Sequence, residues 1–566
     1  MRLALPLFFA VASALPAAAQ TPRTYTRADT LRGAFDTPGR AWWDVTFYDL
    51  HVAIDPSDST IRGRNTIVYF VPGAAPGTAR GPTVRPGPQP PAARQELQID
   101  LMTPLEIDSV VQDGRRLELR REGNAFFATP HARQVRGGVY TMTVHFHGRP
   151  QIAKRPPWEG GFSWKTDSLG RPWIVTTDQG MGASVWWPNK DTQADEPDSQ
   201  RVAITVPTPL IDVSNGRLRR VTPNPDGTTT YEWFVVNPIN NYAIAVAAGH
   251  YAHWSELYEG ERGTLTLDFW PLDYNLEASR RQFPQARTTL KCFEHWFGPY
   301  PFYEDGYKLI EVSNNGMEHQ SAVAYGNGYA NGYRGRDGSG TGLGMKWDFI
   351  IVHETAHEWW GNNLTTNDLA DMWVHESFAN YAENLYTECL FGKEDGARYV
   401  IGTRRLIGND APIVPGAYGV NAQGSGDMYP KGGNMLHTIR QLVGDDEKWR
   451  GILRGLNEEF RHAIVTGRQV QHYISSRSGV ELSKVFEQYL TRTAIPLLEY
   501  RLAGTTLEYR WARVVDGFDM PVEVTLPGGT IQTLRPTTAW QTTELERPGE
   551  LVVDPDYYVE VKRMPE

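Results

Sequence analysis

The spacing of apolar residues along the chain changes twice, and this limits the folds available to it. Up to about residue 250, apolar and polar residues alternate, for example over 50–54 and 140–146, which predicts β-strands. From about Leu276, the segments 278–297, 346–360 and 368–390 favour helices by their length and composition. Strands return from about Leu498. The order predicts a multidomain α+β protein.

The domain boundaries follow the places where the pattern changes. With 566 residues, 40% of them hydrophobic, the chain is long enough for several domains that each have a core. We expect four parts: a signal peptide at 1–19, an N-terminal β-sheet domain at 20–257, a mainly helical domain at 258–497, and a small C-terminal β-sandwich-like domain at 498–566.

The N-terminus has the layout of a secretory signal. Arg2 gives a positive start, residues 3–15 are apolar, and three alanines at 17–19 precede Gln20. We therefore expect an exported protein, periplasmic or extracellular. Beyond this leader, the sequence has no apolar stretch long enough to predict a membrane span. The Pro- and Gly-rich stretch 72–94 predicts an exposed loop.

Charge and cysteine content narrow the possible partners and covalent links. The formal net charge is -10 and no long basic run is present, so nucleic acid is not an expected partner. The two cysteines are Cys292 and Cys389. In an oxidising compartment they permit one disulfide, but a sequence does not show whether their geometry allows it. Of the two outcomes, we favour two buried thiols.

The pentapeptide His353-Glu354-Thr355-Ala356-His357 carries the chemistry of the helical region. On a helix, positions i and i+4 share one face, so the imidazoles of His353 and His357 can bind one metal ion with Glu354 beside them. Gly361 after Trp360 is a suitable end for this helix. Two solvent-facing histidines are the simple alternative.

A third candidate ligand favours the metal site over that alternative. Glu376 lies 19 positions after His357. Two histidines and one carboxylate leave the fourth tetrahedral position open, as in catalytic rather than structural zinc sites. We therefore predict one zinc ion per chain, with Glu354 as the general base that activates water.

Residues 353–381 resemble the zinc signature of the gluzincin aminopeptidases, the aminopeptidase N and leukotriene hydrolase family. Three further segments agree in order and spacing: Phe-Gly-Pro-Tyr-Pro at 297–301, Gly-Met-Glu-His at 316–319 and Tyr-Pro-Lys-Gly at 429–432. The resemblance covers most of 40–500 and implies a thermolysin-like catalytic domain. The chain ends after a β module, so we expect the short form without the large C-terminal helical domain.

The resemblance also implies roles for single residues. Glu318 should bind the free α-amine of a peptide, the backbone at Gly316 should line the scissile bond, and Tyr429 should donate to the developing oxyanion. A second amine-binding group is expected from the β domain, in Thr-Asp-Gln-Gly-Met at 177–181. Gln179 is preferred there and Asp178 is the competitor, while a polar residue that only caps a turn remains equally open.

The sequence departs from the family pattern beside these positions. Asn315 and His319 flank the Met-Glu pair in place of the commoner Gly and Asn, and His375 and Ser377 flank Glu376 in place of Asn and Gly. These departures affect the expected side-chain preference more than the reaction. Glu383, seven residues beyond Glu376, is expected to be an exposed helix acid, although it could orient a ligand.

The function predicted from the sequence is a secreted zinc metallopeptidase that removes N-terminal amino acids from peptides with a free amine. Two alternatives remain open. A zinc endopeptidase or a non-peptide hydrolase would share every zinc residue and differ in recognition of the chain end. A non-catalytic binding module would usually have lost a ligand, Glu354 or Tyr429, and all of them are present.

Overall fold

The computed structural model describes residues 24–73 and 95–565. The predicted signal peptide and most of the predicted loop at 72–94 lie outside the described residues. In the described parts of the chain, strands dominate the first part after one short helix, helices dominate the middle and strands close the chain. The predicted multidomain α+β class is confirmed.

The N-terminal domain is a set of β-sheets preceded by one short helix, α1 (Arg27–Gly33). Its strands are β1 Asp44–Asp55, β2 Thr60–Phe70, β3 Leu97–Asp100, β4 Glu106–Gln112, β5 Arg115–Arg116, β6 Glu118–Glu122, β7 Ala125–Thr129, β8 Val139–Gly148, β9 Gly161–Thr166, β10 Pro172–Thr177, β11 Ser199–Pro207, β12 Ile211–Val213, β13 Arg217–Pro223, β14 Thr228–Val235 and β15 Ala247–Gly249.

The alternating pattern sets the faces of these strands. Leu50, Val52 and Ile54 of β1 are buried, while His51 and Ala53 between them are half-buried. The largest sheet has the order β13-β14-β11-β1-β2-β8-β4-β5, and β12-β15-β10-β9 and β3-β7-β6 form two smaller sheets. The turn that follows β10 contacts the middle region, where the Asn421 amide donates to the carbonyl of Gly180 at 3.2 Å.

The middle region combines a sheet with a group of helices. Its strands are β16 Trp254–Gly260, β17 Gly263–Trp270, β18 Tyr307–Glu311, β19 Gly316–Met317, β20 Val323–Tyr325, β21 Leu364–Thr366 and β22 Ala463–Val465. Its helices are α2 Leu276–Gln282, α3 Gln285–Phe297, α4 Phe349–Ala356, α5 Trp373–Phe391, α6 Lys393–Thr403, α7 Pro430–Val443, α8 Asp446–Glu459, α9 Gly467–Ser478 and α10 Ser483–Thr491. The first five strands form one sheet in the order β16-β17-β18-β20-β19.

The C-terminal region is built from two small sheets, β27-β24-β23-β29 and β26-β25-β28. Its strands are β23 Leu497–Ala503, β24 Thr506–Ala512, β25 Val522–Thr525, β26 Ile531–Leu534, β27 Gln541–Glu544, β28 Val552–Val553 and β29 Glu560–Arg563. Its buried residues, such as Trp511, belong to the same hydrophobic core as the helices, so this region packs as an extension of the helical domain.

The N-terminal domain has its own core, which also includes Met317 of β19 and Ala324 of β20. Apolar packing therefore joins the N-terminal domain to the edge of the five-stranded sheet of the middle region. Glu318 follows Met317 directly, so the same packing brings β-domain residues close to Glu318.

The preference for two buried thiols is wrong. Cys292 of α3 and Cys389 near the end of α5 form a disulfide, with their Cα atoms 6.1 Å apart. Cys389 is exposed, so the two cysteines are not both buried either. The bond ties α3 to the helix that carries Glu376.

Across residues 24–73 and 95–565, no helix is both long and apolar enough to cross a membrane.

Candidate active site

The first half of the site lies on α4. Its N-terminus is fixed by Asp348, whose carboxylate accepts from the backbone N–H groups of Ile350 and Ile351. The helix then presents His353 and Glu354, both buried. It ends at Ala356, earlier than the predicted end near Trp360, and His357 follows in a helical conformation. One turn therefore still separates the two imidazoles.

Helix α5 brings the third candidate ligand to these histidines. Glu376 lies in its first turn and is almost completely buried. Its Oε2 atom lies 3.6 Å from His353 Nε2 and 3.3 Å from His357 Nε2. Ligand atoms bound about 2.0–2.1 Å from one tetrahedral zinc ion would be about 3.3–3.4 Å apart. The three donors thus have the spacing of a zinc site, and they form a possible metal-binding group among the described residues.

The hydrogen bonds around these donors also fit zinc. His353 Nδ1 bonds to Glu383 Oε1 at 2.9 Å, and His357 Nδ1 bonds to the carbonyl of Trp360 at 2.8 Å. With a metal ion bound, each Nδ1 atom would carry the proton and both Nε2 lone pairs would be free to bind the ion beside Glu376. Within the described residues, the buried Oε2 of Glu376 has no hydrogen-bond donor. A metal ion would satisfy all three atoms.

The electrostatics of the cluster favour a cation. Burial by itself lowers the pKa of His357, but the Glu376 carboxylate outweighs it and raises that pKa to about 9. Burial likewise tends to raise the pKa of Glu376, and the two histidines hold it below its ordinary value. The field that stabilises a proton on the imidazoles stabilises a divalent ion between the same atoms.

Glu354 is placed as a base beside an open strand edge. Burial raises its pKa to about 7, and a general base works best with a pKa near the working pH. A Cβ atom at Gly316 would lie 2.8 Å from Glu354 Oε1 and 2.9 Å from Ile350 Cγ2. A side chain at residue 316 would therefore displace the Glu354 carboxylate or the Ile350 side chain. Gly316 thus lies beside the predicted base, and its role at the scissile bond stays a prediction.

Glu318 has two partners from the N-terminal domain. Its carboxylate is buried and accepts from Gln179 Nε2 at 2.7 Å and from the hydroxyl of Tyr242 at 3.3 Å. Burial raises the pKa of Glu318, which the charge of His357 partly offsets. Gln179 Nε2 also lies 2.7 Å from Glu376 Oε1. The amide therefore bridges the predicted amine site and the predicted metal site.

Asp178, the other candidate in the 177–181 segment, is held by Trp186. It is fully buried, accepts from the indole of Trp186 at 2.8 Å, and burial raises its pKa well above the ordinary value. Gln179 is the member of the pair that faces the site.

Tyr429 contacts the metal-binding group through His353. Its ring stacks on the His353 imidazole, with ring centroids 5.9 Å apart. Burial raises the pKa of Tyr429 well above its ordinary value, and the nearby Glu376 carboxylate adds to the shift. The phenol therefore keeps its proton and can act as a donor.

The residues that depart from the family pattern pack around the site. Asn315 donates to the hydroxyl of Tyr333 at 2.6 Å, and His375 Nε2 accepts from the backbone N–H of Thr366 at 3.0 Å. Burial lowers the pKa of His319 to about 3, so its ring is neutral. Ser377 donates to the carbonyl of Met428 at 2.7 Å.

Several residues that contribute to the site were not predicted from the sequence or were given the wrong environment. Glu383 is buried rather than exposed, and Asn380 and Tyr399 hydrogen-bond to it while it holds His353. Its seven-residue spacing from Glu376 was the available signal. Tyr242 was not predicted, because it lies in a 3₁₀ turn far from every motif and only the fold brings it to Glu318.

Residues 286–489 match the family model described as Peptidase family M1 domain. Among curated proteins, the chain is 22% identical over 328 residues to Probable aminopeptidase 1 of Saccharolobus solfataricus, covering 55% of this chain and 40% of that relative. It is 25% identical over 172 residues to Aminopeptidase N of Lactococcus lactis subsp. lactis, covering 28% of this chain and 20% of the relative. The chain therefore spans less than half the length of these relatives.

A solved structure matches more of the fold. The M1 zinc metallopeptidase from Deinococcus radiodurans superposes with a TM-score of 0.66 at 18% identity, covering 82% of this chain and 98% of that one. A mutant of that protein, described as bound to a Tyr-ser-ala substrate, gives a TM-score of 0.64 at 19% identity over 82% of this chain and 98% of that one. The resemblance to the gluzincin aminopeptidases is confirmed.

Proposed function

We propose that this chain, whose residues 286–489 form a peptidase family M1 domain, is a zinc aminopeptidase that releases N-terminal amino acids from peptides. The observation that carries the proposal is the buried Glu318 carboxylate, held by Gln179 next to the His353, His357 and Glu376 donors. A buried anion at this distance from the reaction centre can bind an ammonium group and so define the end of a peptide.

His353, His357 and Glu376 would hold one zinc ion per chain. When bound, zinc supplies a Lewis acid that lowers the pKa of water and polarises a carbonyl. The similarity to aminopeptidases and to a zinc metallopeptidase supports this assignment.

The chain's own residues account for the other steps. Glu318 and Gln179 bind the α-amine and position the first peptide bond beside Gly316. Glu354 accepts a proton from the attacking water and passes it to the leaving amine. Tyr429 donates a hydrogen bond to the carbonyl oxygen as negative charge develops there.

Substrates with free and blocked N-termini test the exopeptidase assignment. We expect the wild-type protein to cleave alanyl and leucyl dipeptides and aminoacyl chromogens, and to cleave their N-acetylated twins and internally quenched peptides poorly. Chelation should abolish the activity, and metal analysis should find about one zinc per chain. Equal rates on free and blocked peptides would instead favour the endopeptidase.

We also propose that the protein is exported to the periplasm or beyond the cell. The signal-like residues 1–19 support export. The disulfide between Cys292 and Cys389 also supports it, because such bonds persist mainly in oxidising compartments. Fractionation and N-terminal sequencing test this: mature protein starting near Gln20 is expected, whereas a retained leader on cytosolic protein would exclude it.

A further inference from the structure

Ser377 links the helix of the third metal ligand to the segment that carries Tyr429. It follows Glu376 directly on α5 and is fully buried. Its hydroxyl donates to the carbonyl of Met428 at 2.7 Å. Met428 immediately precedes Tyr429, so one hydrogen bond joins the chain neighbours of the ligand and of the phenol.

The close approach of the two helices makes this bond possible. A Cβ atom at Gly432, in the first turn of α7, would lie within 3 Å of the Ser377 side chain. A Cβ atom at Gly433 would likewise lie within 3 Å of the side chain of Asn380, which is one turn further along α5. The two glycines therefore let α7 pack directly against the polar face of α5.

The backbone geometry at Tyr429 connects the Ser377 hydrogen bond to the position of the phenol. Tyr429 lies between a 3₁₀ turn and α7, with φ −77° and ψ −84°, outside the helical region. The position of its phenol depends on how the peptide unit between residues 428 and 429 is oriented. Ser377 fixes the carbonyl of that unit.

We propose that Ser377 is a positioning residue for Tyr429, and that its hydrogen bond sets the placement of the phenol relative to Glu376. This inference rests on the proposed function of Tyr429 as an oxyanion donor. Displacing a catalytic group by about 1 Å can slow a reaction by as much as about 10²-fold. A partly restrained phenol should therefore cost less than complete loss of its hydroxyl.

A double-mutant cycle tests this proposal. We expect Ser377→Ala to lower kcat about 10-fold, with KM changed less than about twofold and the zinc content unchanged. In a Tyr429→Phe background, the same substitution should change kcat by less than about twofold. Wild-type kcat in Ser377→Ala would overturn the proposal, as would an equal loss in both backgrounds.

A matched control separates positioning from general destabilisation. Ser478 of α9 is also buried and donates to a backbone carbonyl, that of Ser475, at 3.0 Å. Ser478→Ala should lower Tm while keeping kcat. If Ser377→Ala does not accumulate, Ser377→Gly removes the same hydroxyl and is measured in the same cycle.

A structural readout separates this proposal from the proposed function. Crystal structures of the wild type and of Ser377→Ala should differ by about 1 Å in the position of the Tyr429 hydroxyl, whatever reaction the protein catalyses. An unmoved phenol would overturn the proposal even if the protein proves to be an aminopeptidase. A displaced phenol in a protein without aminopeptidase activity would instead contradict the proposed function alone.

Discussion

The metal-facing and amine-facing halves of the site are built in different ways. Apart from Tyr429, the metal-facing half comes from residues 353–383, on or next to α4 and α5, which share one hydrophobic core. The amine-facing half combines Gln179 and Tyr242 of the β domain with Glu318, which lie far apart in the chain. The proposed chemistry is thus encoded mainly in one segment, whereas the proposed recognition of the amine depends on how two domains approach each other.

This difference separates the expected effects of substitution. Changes in the metal-facing half should slow every substrate alike, because they act on the bond-breaking step. Changes in the amine-facing half should act selectively, on substrates with a free amine. The five predictions below test this division, starting with the largest expected loss of activity.

Glu354→Gln should give the largest loss. Removing a general base typically costs roughly 10²- to 10⁴-fold in rate, and the amide keeps the size of the side chain. Turnover should fall by that factor on every substrate, while metal analysis finds wild-type zinc. His353→Ala is the comparison variant, since it should lose the zinc as well. Full activity in Glu354→Gln would remove Glu354 from the mechanism.

Tyr429→Phe should lower kcat by roughly 10²- to 10³-fold, the usual cost of one oxyanion donor. Because the ring still stacks on His353, substrate affinity and zinc content should stay near wild type. Steady-state kinetics on a leucyl chromogen would measure both constants. A change confined to KM would make Tyr429 a binding residue instead.

Glu318→Ala should reduce cleavage of free-amine dipeptides by at least about 30-fold, because a desolvated charge pair loses one partner, at a cost of about 2–5 kcal/mol. N-acetylated dipeptides should be cleaved poorly by both forms. The ratio of kcat/KM on free and blocked substrates is the measurement. An equal loss on both would place Glu318 in the metal-facing half.

Glu383→Gln should weaken zinc binding by about 10- to 100-fold, since it alters the group that holds His353 Nδ1. Competition with a chromogenic chelator measures this, and with saturating zinc the rate should largely recover. Glu394→Gln removes an exposed acid from the neighbouring helix α6 and serves as the control. Unchanged zinc affinity in Glu383→Gln would contradict the orienting role.

Gln179→Ala should have the smallest effect, a rise in KM of about 10-fold for free-amine substrates, the cost of one hydrogen bond to a charged group. Asp178→Asn is the matched control, because Asp178 contacts Trp186 rather than the site, and its kinetics should stay within about twofold. Should Asp178→Asn be the variant that raises KM, the preference between the two neighbours would be reversed.

More of the metal-facing half than of the amine-facing half could be predicted from the sequence. The His353 and His357 pair was predictable because helical periodicity places positions i and i+4 on one face. Glu376 was predictable from its distance of 19 positions from His357. Gln179 was narrowed to a pair of neighbours, and only the fold shows that it faces Glu318. Tyr242 was out of reach, since no local pattern encodes a contact between two domains.

Two local predictions, the end of α4 and the exposure of Glu383, were wrong for a similar reason. The strand and helix regions follow from apolar periodicity, but the end of α4 depends on backbone bonds after Ala356 that periodicity does not record. Glu383 was expected to be exposed because an acid on a helix usually is. Its carboxylate can be buried because Asn380 and Tyr399 donate hydrogen bonds that offset the cost of removing it from water.

The disulfide between Cys292 and Cys389 links folding of the chain to zinc binding. It closes a covalent ring of chain that contains Glu318, Glu354 and all three candidate zinc ligands. Closing a ring of about 100 residues restricts the unfolded ensemble by an amount worth about 4–5 kcal/mol in a chain-entropy description. Thiol oxidation and zinc capture both favour the folded chain, so each strengthens the other. Reducing conditions should therefore release the metal at a lower denaturant concentration than oxidising ones.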